Sequence, residues 1–235
     1  MTTKPFSPQT KAMAHTRLSL IKGRGALLLF LGLSWLVTGC PQTVRLPERF
    51  PTPVTEKLPL RIGLYQDRPF RDYVYRREPE AAKGWIVDMR PIHKTLFQTL
   101  LGPLVSELIE IERFPRIPRQ APKLDAIIEP EVQAFELQTP SASTSPFCRV
   151  SVTYLLRVYS PQGRLLASWP VEGQGQGRSG WLQAAQGVTE AVTNALRDLG
   201  AQIVVELGGR PTISALLADK RAKNAGTPDP TTEKR

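Results

Sequence analysis

The chain of 235 residues offers few groups able to do covalent or acid–base chemistry. Two carboxylate pairs stand at i, i+2: Glu110 with Glu112, and Glu129 with Glu131. On a strand that spacing puts both members on one face, where hydrolysis would use one as acid and one as base. Alternating solvent-facing residues on amphipathic strands explain it better. The run Gly173-Gln174-Gly175-Gln176-Gly177 stands before Arg178 and a helix starting near Trp181. Backbone N–H groups and the helix dipole there would favour an anion. The Gly-Lys-Ser/Thr element of a phosphate loop and the third glycine of a dinucleotide fingerprint are missing, so the run reads as a mobile strand-to-helix connector. His93, beside Lys94, reads as an exposed helix residue; His15 lies near the start. One downstream histidine and one spare thiol do not make a zinc site. Serines crowd 141–145 without a G-x-S-x-G elbow. No catalytic residue, metal ligand or cofactor is assigned, and the chain is read as not an enzyme.

The remaining reactive group is Cys40. Lys4, Lys11, Arg17, Lys22 and Arg24 precede it with no acid beside them, followed by the apolar run Ala26 to Val37. Twelve residues are too few to span a bilayer, which takes about 20, and suit the apolar core of a signal peptide. Small residues follow in Val37-Thr38-Gly39, then Cys40. This ordered combination resembles the lipobox of bacterial lipoproteins. The resemblance implies cleavage between Gly39 and Cys40 and attachment of two or three acyl chains at Cys40. One chain alone gives only marginal, reversible binding. Pro41 and Gln42 follow, with no Asp, which by the family's sorting rule favours the outer membrane, facing the periplasm. Cys148 then lacks an intramolecular partner and reads as a buried, inert thiol.

Removal of 39 residues leaves 196, enough for one domain with a real core and tails. The formal charge of +10 falls to about +5, because five basic residues go with the signal. The segment from Arg210 onward supplies +3 of the remainder. Anionic lipid or wall polymer suits this balance as well as nucleic acid does, and an exported chain is not expected to meet nucleic acid.

The organisation expected is therefore a signal peptide (1–39), a lipidated cysteine with a Pro-rich extended tether (40–59), an α+β domain (60–209) and a polar, disordered tail (210–235). Pro41, Pro47, Pro51 and Pro53 fix φ and remove donors, so the tether is not read as a strand of the core. Strands are expected over 60–67, 108–114, 124–137 and 147–159, the last returning through Ser160-Pro161-Gln162-Gly163 as a hairpin with 164–171. Short strands are expected near 72–77 and 84–87. Pro130 places the third long strand near an edge. Ile92, Leu96 and Leu100 mark a helix over 91–101, and Ala184, Val188, Val192, Ala195, Leu199 and Ile203 mark the longest one. The fold class is a mixed, largely antiparallel sheet of four or more strands with two helices on one face.

One loop stands out as an interface. Tyr65, Arg68, Tyr73, Tyr75, Arg76 and Arg77 bring together the residue types that anchor protein contacts; a solvated charged loop is the alternative.

RIGLYQD as an opening strand, LDAIIEPEVQAFEL, the FCRVSVTYLLRVYSPQGRLL hairpin and the terminal LQAAQGVTEAVTNAL helix together resemble small bacterial lipoproteins of the YajG-like and CsgG-like type, whose fold is similar to the N-terminal domain of TolB. The resemblance covers about 150 residues by pattern and order. It implies a non-enzymatic envelope lipoprotein, held to the membrane through Cys40 and acting as an assembly or protein-interaction subunit with an envelope protein partner. The alternative is a lipid- or glycan-binding auxiliary lipoprotein of an envelope transport system.

Overall fold

The computed structural model describes residues 42–44, 46, 50, 52–54, 56–78, 84–114, 123–140, 146–179 and 184–225. The expected signal peptide, its cleavage motif Val37-Thr38-Gly39, Cys40 and residues 226–235 lie outside the described residues. The strands are β1 (Gln42–Val44), β2 (Leu58–Tyr65), β3 (Val74–Arg77), β4 (Trp85–Asp88), β5 (Val105–Ile111), β6 (Ala126–Gln138), β7 (Phe147–Tyr159) and β8 (Leu165–Arg178). The helices are α1 (Arg68–Arg71), α2 (Arg90–Leu101), α3 (Ala184–Gly209) and α4 (Pro211–Ala225).

The fold is α+β, with two mixed sheets. One runs β5-β2-β6-β7-β8 and the other β1-β4-β3. In the larger sheet β2 pairs parallel with β5 and β6, while β6-β7 and β7-β8 are antiparallel. The long hairpin follows from strict alternation. Cys148, Val150, Val152, Tyr154, Leu156 and Val158 are all buried on one face of β7. Its turn closes with Gly163 at φ 85°, a left-handed conformation that glycine adopts without steric cost, and Ser160 N–H donates to Arg164 O at 2.8 Å.

Pro130 behaves differently from expectation. β6 is an inner strand, but it pairs with β2 only over Ala126–Ile128. Beyond Ile128 its β2 side has no described neighbour, so Pro130 removes no ladder bond there while still sitting opposite Leu156 of β7.

Helices α2 and α3 supply the other layer. Ile92, Leu96, Phe97, Leu100 and Leu101 of α2 are buried, as are Val188, Ala191, Val192, Ala195, Leu196, Leu199 and Ile203 of α3. These residues and the inner face of the long hairpin belong to one contiguous core.

Two expectations fail at the ends of the domain. The segment 40–59 is not a free tether: β1 pairs parallel with β4, Gln42 opposite Trp85 and Val44 opposite Val87. Val44 is buried, and Leu46 and Phe50 pack against the core. A Pro-rich composition forbids a central ladder position, not a short strand between prolines. The expected polar tail is helical over Pro211–Ala225, starting at a proline suited to a first turn. Ile213 is fully buried, and Lys220 Nζ donates to Asp125 Oδ2 at 2.5 Å, fastening α4 to the start of β6.

Candidate functional site

The Tyr/Arg segment is largely consumed by the fold. Asp67 caps α1, its Oδ1 accepting from Phe70 N–H at 2.8 Å. That places Phe70 in the core and turns the chain into β3. Tyr75 packs on Phe135 with ring centroids 4.6 Å apart, and Tyr65 on Phe114 at 5.5 Å. Arg77 donates to Leu137 O at 2.7 Å and Thr139 Oγ1 at 2.9 Å, tying the small sheet to the end of β6. Tyr73 is half-buried 6.0 Å from the ring of His93, and burial raises its phenol above the ordinary range. Arg68 and Arg76 remain exposed, Arg68 paired with Asp72. Interface chemistry on this segment therefore rests on three guanidinium groups, since Arg71 is exposed as well, with Arg90 held by Asp88 close by.

Sequence reasoning missed the polar group beneath this segment. His93 is fully buried, not exposed. Its Nδ1 lies 2.7 Å from Phe70 O and its Nε2 2.5 Å from the Tyr154 hydroxyl, while Phe70 stacks on its ring at 4.1 Å. Nδ1–H donates to the carbonyl, and Nε2 accepts from Tyr154 O–H. Burial lowers the His93 pKa to about 4 and pushes the Tyr154 phenol well up, so both groups are neutral near pH 7. Every hydrogen-bonding atom of the ring is used within the chain. A signal was present: His93 lies four residues before Phe97 and seven before Leu100, on the helix face already marked as apolar.

The carboxylate pair Glu129/Glu131 is not available for acid–base work. Arg157 lies between the two, 3.6 Å from Glu129 and paired with Glu131. Tyr159 O–H donates to Glu129 Oε2 at 2.8 Å, and its pKa is pushed up to about 12 by desolvation and by that carboxylate. Glu110 and Glu112 are exposed. Among the described residues no group of three or more His, Cys, Asp or Glu could hold a metal ion. Cys148 is buried, and desolvation raises its thiol pKa.

The glycine run is neither connector nor anion cradle; it is the end of β8. Its glycines face α3 and its glutamines face solvent. A Cβ on Gly173, Gly175 or Gly177 would lie 2.2, 2.1 or 2.0 Å from the carbonyl oxygens of Ala195, Ala191 and Gly187. Only glycine admits such contact between strand and helix backbones. The free edge of β8 is then closed by side chains one helical turn apart. Glu190 accepts from Arg178 N–H, Asn194 donates to Gln176 O and Asp198 accepts from Gln174 N–H, at 3.1, 2.9 and 3.0 Å. At the opposite edge, among the described residues, β5 pairs on one side only, with β2.

Two surface hollows lie among the described residues. One, of ≈ 410 Å³, lies over the polar face of β6-β7-β8 and includes Glu136, Arg149, Ser151, Glu172 and Gln174. Its groups are mutually engaged, since Ser151 and Gln174 both donate to Glu172. The other, of ≈ 290 Å³, is almost wholly apolar and runs along α3 beside Phe50 and Pro53.

No protein-family model matches the chain. No curated protein sequence matches it either. Among solved structures it is similar to a minor lipoprotein from Acinetobacter baumannii, at 10% identity and TM-score 0.39, over 63% of this chain and 92% of that one. It is similar to a protein described as a neuraminyllactose-binding hemagglutinin homolog from Helicobacter pylori, at 11% identity and TM-score 0.42, over 77% and 100%. A protein described as a lipoprotein from Caulobacter crescentus matches at 10% identity and TM-score 0.31, over 58% and 83%. Overlaps this loose transfer neither a family nor an activity, and the functional reading rests on the chain's own residues.

Proposed function

We propose that this chain is a membrane-anchored lipoprotein of the cell envelope, acting without catalysis as an assembly or protein-interaction subunit. The observation that carries the interaction reading is the unequal treatment of the two edges of the large sheet. The β8 edge is closed by three side chains of α3. The β5 edge carries the exposed Glu107 and Glu110 and no described neighbour on its outer side. Folds shield such edges unless a partner uses them, and addition of a strand from another chain is a common mode of recognition. The anchor is Cys40, with Val37-Thr38-Gly39 as its cleavage motif, and the surface reached is the outer membrane, facing the periplasm.

The test has two independent arms. Growth in labelled palmitate should mark the protein, and the mature chain should begin at an acylated Cys40; an unmarked product beginning elsewhere refutes the anchor. A photo-activatable residue at Glu110 of the full chain in envelope membranes should capture one extended segment of one protein, whereas scattered or absent adducts refute the edge. Replacing the three exposed arginines Arg68, Arg71 and Arg76 together by alanine should weaken that capture. Lipid binding for a transport system is the second reading, and the apolar hollow on α3 is the observation that favours it.

A further inference from the structure

The hollow along α3 has a composition that points to one class of ligand. Its walls are Phe50 and Pro53 on one side, Leu100 at the end of α2, and Leu196, Val204 and Val205 of α3. Gly200 and Ala201 keep it open: a Cβ at Gly200 would already lie 2.9 Å from Leu100. Val205 is 76% exposed and Val54, next to the wall, is 102% exposed. Apolar surface is therefore open to solvent along this part of α3.

Among the described residues Arg197 is the one charged group on the lining. It is exposed, and among the described residues no carboxylate pairs with it, whereas seven other arginines or lysines are so paired. A narrow apolar trough with a single guanidinium at its rim complements an amphiphile with one hydrocarbon chain to bury and one anionic group to pair. The volume is at the small end for ligand sites, which fits one chain and not a sterol or a fused-ring molecule.

We infer that this groove takes one acyl chain of a membrane phospholipid, with the phosphate against Arg197. This deepens the lipid-binding reading and rests on the envelope location, but not on the β5 edge. A peptide helix is a poorer occupant, because the trough offers room for a chain and not for a row of side chains.

The test uses the full chain in native envelope membranes, with a benzophenone amino acid in place of exposed Val205 and, as control, in place of exposed Gln162 at the hairpin turn. After irradiation and digestion, the peptide carrying position 205 should bear a phospholipid mass that the peptide carrying position 162 lacks. Ala201→Trp, which fills the trough from an exposed position, should remove most of that adduct. Arg197→Glu should lower its yield about tenfold and Arg197→Lys much less, as loss of a charge-assisted contact predicts. Equal yields at 205 and 162, a peptide adduct in place of lipid, a link to the chain's own Cys40 acyl groups, or a yield indifferent to Arg197→Glu would each overturn the inference. The mass of the Cys40 peptide, read in the same digest, reports separately on the anchor. An unacylated Cys40 with a specific lipid adduct at 205 sinks the anchor alone.

Discussion

At the residue scale the decisive group is His93. Desolvation holds its pKa near 4, while the unfolded chain titrates near 6.5. Between those values the unfolded state binds a proton that the folded state refuses, so stability rises with pH across that window. Acidification from pH 7 should therefore cost about 3 kcal/mol by pH 4, with the loss from this group levelling off about one pH unit below that. Chemical denaturation at pH 7, 5.5 and 4 checks this, and a His93→Gln variant should flatten most of the slope. Tyr154→Phe leaves Nε2 without its donor and should cost about 1–3 kcal/mol at pH 7. Cys148 makes a parallel case. Buried with a raised pKa, it should resist thiol reagents in the folded protein and react stoichiometrically in denaturant. Burial of Cys148 was legible from alternation along Phe147–Tyr159. Burial of His93 was obscured by the neighbouring Lys94, although spacing from Phe97 placed the two residues on different faces.

At the scale of elements, periodicity located α2, α3 and the long strands up to the glycine half of β8, because alternation and three-to-four spacing are properties of neighbours in sequence. What it misplaced were features fixed by partners far along the chain. Glycines alternating with glutamines look like a loop by composition, yet the same alternation is a strand whose inward positions must have no side chain. Only the approach of α3 to within a backbone contact explains that requirement. Gly175→Ala should accordingly destabilise by about 3 kcal/mol or more, since the obstructing atom is the carbonyl of Ala191 and cannot swing aside. Thermal unfolding of Gly175→Ala beside Gln176→Ala, a solvent-facing neighbour expected to change little, separates backbone crowding from a general intolerance of the strand. The closure of the β8 edge leads to a different readout. Replacing Glu190, Asn194 and Asp198 together by alanine should leave the fold intact but bare three backbone groups, and concentration-dependent association by light scattering should follow.

For the molecule as a whole, the question is how far the domain stands from the bilayer. The proline content of residues 41–58 suggests a spacer, and a spacer of that length would allow the domain to range over tens of ångströms. Pairing of Gln42 with Trp85 removes most of that freedom. Only Pro41 separates Cys40 from β1, so an acyl group carried by Cys40 would be attached no more than about 7–8 Å from Gln42, measured between Cα atoms. Register in the small sheet then sets Thr43, Ile86 and Arg76 side by side across β1, β4 and β3. Arg76 is exposed on that row, a charge suited to anionic headgroups. A lipid-anchored chain with this topology should thus hold the small sheet against the membrane surface, and should present its hairpin turn at Gln162 elsewhere. Fluorophores placed singly at Thr43, Arg76 and Gln162 in vesicle-bound, acylated protein test this with a headgroup-located quencher. Strong quenching is expected at the first two positions and weak quenching at the third. Equal, weak quenching at all three would mean that β1 detaches and the N-terminal segment works as a free tether after all. Inserting a flexible Gly/Ser stretch between Pro41 and Gln42 should reproduce that equal, weak pattern without altering the unfolding midpoint, which ties the proximity to the length of the connection and not to an affinity of the sheet for lipid.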